Sequence, residues 1–126
     1  MSVITLNAAS TSTARMDFHE MVNELNKALG ATLVTSMAGY TDRSNAYKWA
    51  KAGSAEPKPQ AVTRLRFAHS MLTYLCDNES IHVARAWFMG ANPWLNYDTP
   101  IDAIREDNRK QVAAAAEALV LDSHAA

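Results

Sequence analysis

The sequence predicts an all-α fold, on three observations. Glycine and proline are scarce, at four each in 126 residues, which argues against a turn-rich β-sandwich or a disordered chain. Hydrophobic content is 48%, enough for a core, and the abundant Ala, Leu, Met, Glu, Lys and Arg favour helix. Apolar residues recur at helical spacing along most of the chain, and no stretch shows the signature of a β-hairpin.

Residues 1–15 are rich in Ser, Thr and Ala and lack helical periodicity, so they are expected to form a mobile arm, with a short strand possible over Val3 to Leu6. Asp17 is placed to cap a first helix, with Glu20 three residues on as a capping-box partner. Phe18, Met21, Val22, Leu25, Ala28 and Leu29 follow at helical spacing, and Gly30 stops the run. Leu33, Val34, Met37 and Ala38 define a second, short helix that Gly39 breaks. After the turn "YTDRS", Ser44 or Thr41 caps a third helix, "NAYKWAKA", ended by Gly53.

"SAEPKP" is a linker, and Pro59 fits the first turn of a fourth helix running to about Cys76, lined by Val62, Leu65, Phe67 or Ala68, Met71, Leu72 and Leu75. A fifth helix, about 79–89, holds Ile81, Val83, Ala84, Trp87 and Phe88. Asn92-Pro93 ends it in a turn, because the residue before proline avoids the α region. Thr99 and Pro100 open a sixth helix, about 100–107, and a last helix covers about 109–121 through Val112, Ala115, Ala116, Leu119 and Val120. The expected organisation is an arm over 1–15, a helix-turn-helix unit over 16–76 and a helical unit with a short tail over 77–126.

The net charge of −1 is unevenly distributed. Over residues 40–69, Arg43, Lys48, Lys51, Lys58, Arg64 and Arg66 face only Asp42 and Glu56, a surplus of four positive charges. Over residues 70–126, eight carboxylates face four cations, a surplus of four negative charges. A basic middle and an acidic C-terminal half suggest two surfaces with different partners.

The basic part has a helix-turn-helix layout: two short helices joined by a turn that contains glycine. With Ala46 and Trp49 facing inward, Arg43, Ser44, Asn45, Tyr47, Lys48 and Lys51 face outward as DNA-binding candidates. Arg and Asn pair with base edges, and Lys, Ser and Tyr suit phosphates. The acidic part holds the unusual stretch "WFMGANPWLNYDTPIDAI". Trp87 lies on an apolar helical face and is expected in the core; Trp94 lies on the turn itself, where a large aromatic is a natural contact anchor. The candidate partner-binding residues are Trp94, Asn96, Tyr97, Arg105, Leu119, Leu121 and Asp122, with the tail behind them.

"ARAWFMGANPWLNYDTPIDAIREDNRKQVAAAAEAL" resembles the C-terminal toxin-binding domain of the Xre/MbcA/ParS antitoxin family. Trp87, Asn92, Pro93, Leu95, Thr99, Pro100, Ile101 and Val112 match that pattern in order, and the preceding segment looks like the family's Xre-type DNA-binding half. The two cover roughly residues 17–121. The resemblance implies a type II antitoxin that covers the cleft of a RES-domain, NAD-consuming toxin and represses its own operon. The expected partners are that toxin, operator DNA and a second copy of the chain within a hetero-oligomer. The alternative is a stand-alone Xre-type regulator whose C-terminal half dimerises.

No HExxH, GxSxG, Walker loop or GxGxxG occurs, so the sequence points to no enzyme, metal or cofactor. His82 with Asp77 and Glu79 is the nearest approach to a ligand cluster and reads as a solvated helix end. Cys76 is alone, which fits a reducing cytoplasm. No apolar run approaches the roughly 18 residues of a membrane span, and the N-terminus lacks a basic region typical of a secretory signal.

Overall fold

A computed structural model describes residues 4–125. Among them no residue is in a strand, and the helices are α1 (Leu6–Ala14), α2 (Phe18–Leu29), α3 (Ala31–Ala38), α4 (Ser44–Trp49), α5 (Pro59–Asn78), α6 (Ile81–Met89), α7 (Pro100–Arg105) and α8 (Arg109–Ser123), with a 3₁₀ turn at Pro93–Leu95. The all-α expectation holds.

The centre is α5. Ala68, His69, Ser70, Met71, Leu72, Tyr74 and Leu75 are all buried, so the middle of this helix is largely enclosed, while Cys76 and Asp77 near its end are exposed. It packs against α1, α2 and α3 on the N-terminal side and against α6, α7 and α8 on the C-terminal side. The buried apolar residues accordingly form one continuous core from Ala9 to Val120, and residue 76, where a division was expected, lies within α5.

The expected mobile arm is instead helix α1, seated on α5. Thr5 caps it by accepting from Ala8 N, and Ala9 and Thr13 are its buried residues. Its hold on the core is largely polar. Thr13 Oγ1 lies 2.7 Å from His69 Nδ1, and His69 Nε2 lies 2.8 Å from Glu24 Oε1. Asn78 accepts from Ile4 N at 2.7 Å and donates to Ile4 O at 2.8 Å. Ile4 and Thr5 are not in a strand; the rest of the expected strand's start, Val3, lies outside the described residues.

Three arginines tie helix ends together. A helix leaves its last carbonyls without internal partners, and a guanidinium there satisfies them and complements the helix dipole. Arg66 donates to Thr13 O and Met16 O at the end of α1, Arg64 to Ala38 O at the end of α3, and Arg85 to Ala28 O near the end of α2. Arg64 also forms a two-pronged pair with Asp107, both contacts at 2.9 Å. The hydrogen bond from Arg64 holds the Asp107 carboxyl below its ordinary range.

The capping expectations hold at Asp17, which accepts from His19 N and Glu20 N, and at Thr99, which accepts from Asp102 N. Ile81 and Val83 are exposed, because α6 buries only the face of Ala84, Trp87 and Phe88. No helix among the described residues is long and apolar enough to cross a membrane.

Candidate functional site

The turn after α6 is built by Asn92. Its side chain accepts from Trp94 N at 2.9 Å, and its carbonyl accepts from Leu95 N at 2.9 Å and Tyr97 N at 2.8 Å. Asn92 N donates to Asp98 O, closing the loop on itself. Leu95 is buried and roots the turn against α8. Leu95 ends a 3₁₀ turn that begins at Pro93, and two left-handed residues follow, Asn96 at φ 54° and Tyr97 at φ 68°. That conformation is costly for a bulky side chain and persists only where the surroundings enforce it.

The turn holds Trp94 out in solvent, 62% exposed, beside a groove of about 440 Å³. Trp87, Asn92, Pro93 and Trp94 line one side, and Ala115, Ala118, Leu119 and Asp122 of α8 line the other. Trp87 forms the floor and is buried, as its place on the apolar face of its helix predicts; its Nε1 is buried and has no hydrogen-bond partner among the described residues. Trp87 also meets Phe88 edge-on, ring centroids 5.0 Å apart.

Of the predicted partner-binding residues, Trp94, Leu119 and Asp122 come together in this groove, and exposed Asn96 and Tyr97 sit in the adjoining turn. Arg105 and Leu121 do not join them. Arg105 donates to Ser36 Oγ at 2.8 Å and pairs with Asp102 at 2.9 Å, so it links α7 to α3. Leu121 is exposed and does not line the groove. The tail is also less free than expected: α8 reaches Ser123, and His124 Nε2 lies 2.9 Å from Asn78 O and 3.1 Å from Glu79 Oε2. Ala126 lies outside the described residues. Sequence reasoning missed Pro93, Ala115 and Ala118 as groove walls; their small or rigid side chains carry no binding signal of their own.

The second candidate surface is α4. Ala46 and Trp49 are buried, as expected, and Trp49 stacks edge-on with Tyr40 at 4.9 Å. Two side chains of α2 fix the helix from behind, Asn26 donating to Ala46 O and His19 bonding Trp49 O. Arg43, Ser44, Tyr47 and Lys48 are exposed on its outer face. Three details correct the expectation. The helix ends at Trp49, so Lys51 lies beyond it in a bend. Asn45 is half-buried and donates to Asp42 O; the N-cap position is Arg43, which makes no side-chain capping bond, and Asp42 before it accepts from Ser44 N, so neither Ser44 nor Thr41 caps the helix. Hydrogen bonds from Ser44 hold the Asp42 carboxyl below its ordinary range, leaving a negative charge at the tip of the surface.

Arg64 and Arg66 are likewise engaged with helix ends, so the basic middle presents Arg43, Lys48, Lys51 and Lys58 against Asp42 and Glu56.

Among the described residues no group of three or more His, Cys, Asp or Glu is placed to hold a metal ion. Comparison of the chain with protein-family models, with curated proteins and with solved structures returned no match.

Proposed function

We propose that this protein is an antitoxin that neutralises a RES-domain, NAD-consuming toxin by occupying its active-site cleft, and that it represses its own operon through α4. The observation that carries the reading is Trp94, a large aromatic held outward by a stiff turn beside an apolar groove. Exposed aromatics rimmed by polar residues are favoured contact anchors, and they need a partner to bury them. The acidic balance of the same half supports a protein partner over a nucleic acid, since DNA would be repelled. Inhibition by covering a cleft requires no catalytic group on this chain.

The DNA-binding part of the proposal is supported by Arg43, Tyr47 and Lys48, exposed together on a helix whose opposite face is anchored by Trp49. The short α4 and the carboxylate of Asp42 limit it to a modest electrostatic footprint. The resemblance to the Xre/MbcA/ParS family supplies the identity of the toxin and the autorepressor role.

The test is co-expression with the product of the adjacent gene. The proposal expects restored growth and a co-purifying complex. A chain that neither binds nor neutralises that product, yet binds DNA as a stable dimer, would establish the stand-alone regulator instead.

A further inference from the structure

We propose that the groove between the Asn92 turn and α8 receives an extended segment of the partner that carries an arginine or lysine next to an apolar residue. The inference deepens the partner-binding reading above and rests on it.

Three features of the groove select that chemistry. The first is charge. Among the described residues Asp122 is the charged residue in the lining, and no cation lines the groove. Arg85, Arg105 and Arg109 of the same half are turned to Ala28 O, Ser36 Oγ and Asp107 respectively. The groove also lies at the C-terminal ends of two helices, with Trp87 in the last turn of α6 and Leu119 and Asp122 in the last turns of α8. Helix C-termini carry partial negative charge and stabilise a cation.

The second feature is the exposed Trp94 ring. Its π face attracts a guanidinium or ammonium, and tryptophan is the best of the aromatic side chains for this. A cation lying over Trp94 has Asp122 in the opposite wall of the same groove. Pro93, Ala115, Ala118 and Leu119 provide the apolar wall for the neighbouring side chain.

The third feature is shape. Trp87, 8% exposed, closes the groove on the α6 side. An extended segment offers alternating side chains to the two walls. The volume of about 440 Å³ suits a few side chains rather than a broad globular face.

The experiment is selection of random twelve-residue peptides, displayed on phage, against the full chain, with counter-selection on the Trp94→Ala chain. The expected result is enrichment of Arg or Lys beside an apolar residue. Synthetic copies of the enriched peptides should shift the Trp87 indole N–H resonance. Their affinity should fall about five- to thirtyfold in Trp94→Ala and fall measurably in Asp122→Asn, with no change in Leu121→Ala, which lies outside the groove lining. Enrichment of acidic or purely apolar peptides, enrichment unaffected by Trp94→Ala, or no enrichment overturns the proposal. The outcome separates from the functional reading. Neutralisation of the toxin without basic peptide selection defeats this inference alone; basic selection without toxin binding defeats the antitoxin assignment alone.

Discussion

Trp87 and Trp94 line the same groove in opposite states, one 8% exposed on its floor and the other 62% exposed beside it. The difference follows from the Asn92 turn between them. Trp87 belongs to the buried face of α6, while the Asn92 turn lifts Trp94 off the core and roots only Leu95. One tryptophan is thus structural and the other is free to bind, and they should respond differently to substitution.

Trp87→Ala should cost about 3–5 kcal/mol, because it removes a large side chain from the buried face of α6. Trp87→Phe should cost far less, since the donor it removes has no partner among the described residues. Urea unfolding of both variants measures this. An alanine variant within about 0.5 kcal/mol of the parent protein contradicts the core assignment.

Thr13→Val should cost about 1–3 kcal/mol, because it leaves the buried His69 Nδ1 without its nearest partner at 2.7 Å. The same variant should loosen α1, whose buried face is otherwise only Ala9. Faster amide hydrogen exchange confined to residues 6–14 is the expected sign. Unchanged exchange would show that Arg66 and Asn78 suffice to hold the helix.

The Arg64–Asp107 pair should contribute to acid sensitivity. The Asp107 carboxyl is held below its ordinary value of 3.8 in the folded chain. A depressed folded pKa gives stability that is present above the unfolded value and lost as pH falls through the folded one. Asp107→Asn should therefore be less stable than the parent at neutral pH, and the gap should narrow as pH falls below 3.8. Asparagine tolerates the left-handed backbone of residue 107, φ 63°, so the comparison isolates charge. A pH-independent gap refutes the linkage.

On DNA carrying its own promoter, Arg43→Ala should cost about 1–3 kcal/mol and relax sequence preference if Arg43 reads a base. Lys48→Ala should weaken binding to all sequences alike and lower the salt slope by about one. Fluorescence anisotropy at several salt concentrations distinguishes the two. Equal, sequence-independent effects of both would place Arg43 on phosphate.

Much of the fold was legible because its signals are local. Asp17, Pro59 and Thr99-Pro100 mark helix starts by their own chemistry, and α2 shows its apolar stripe plainly. Helix α1 was not legible, because it buries an alanine and a threonine and is held by His69, Arg66 and Asn78 from far along the chain. The roles of Arg64, Arg66, Arg85 and Arg105 were hidden for the same reason: a charge run in sequence says nothing of which carbonyl a guanidinium will meet. Exposure of Ile81 and Val83 depends on how many neighbours α6 has, which periodicity does not encode. At the groove, Trp94, Leu119 and Asp122 could be anticipated from type and position, whereas the left-handed geometry of Asn96 and Tyr97 could not.

The most direct test of the central claim is the affinity of the full chain for the product of the adjacent gene, measured by titration calorimetry for the parent protein and for Trp94→Ala. Truncation of residues 119–126 is a poor substitute, because it would remove the buried Val120. The account predicts that Trp94→Ala weakens the complex by about 2 kcal/mol or more, roughly thirtyfold, while the melting curve of the free chain stays where it was. A tight complex of unchanged affinity would contradict the account and place the interface elsewhere on the molecule.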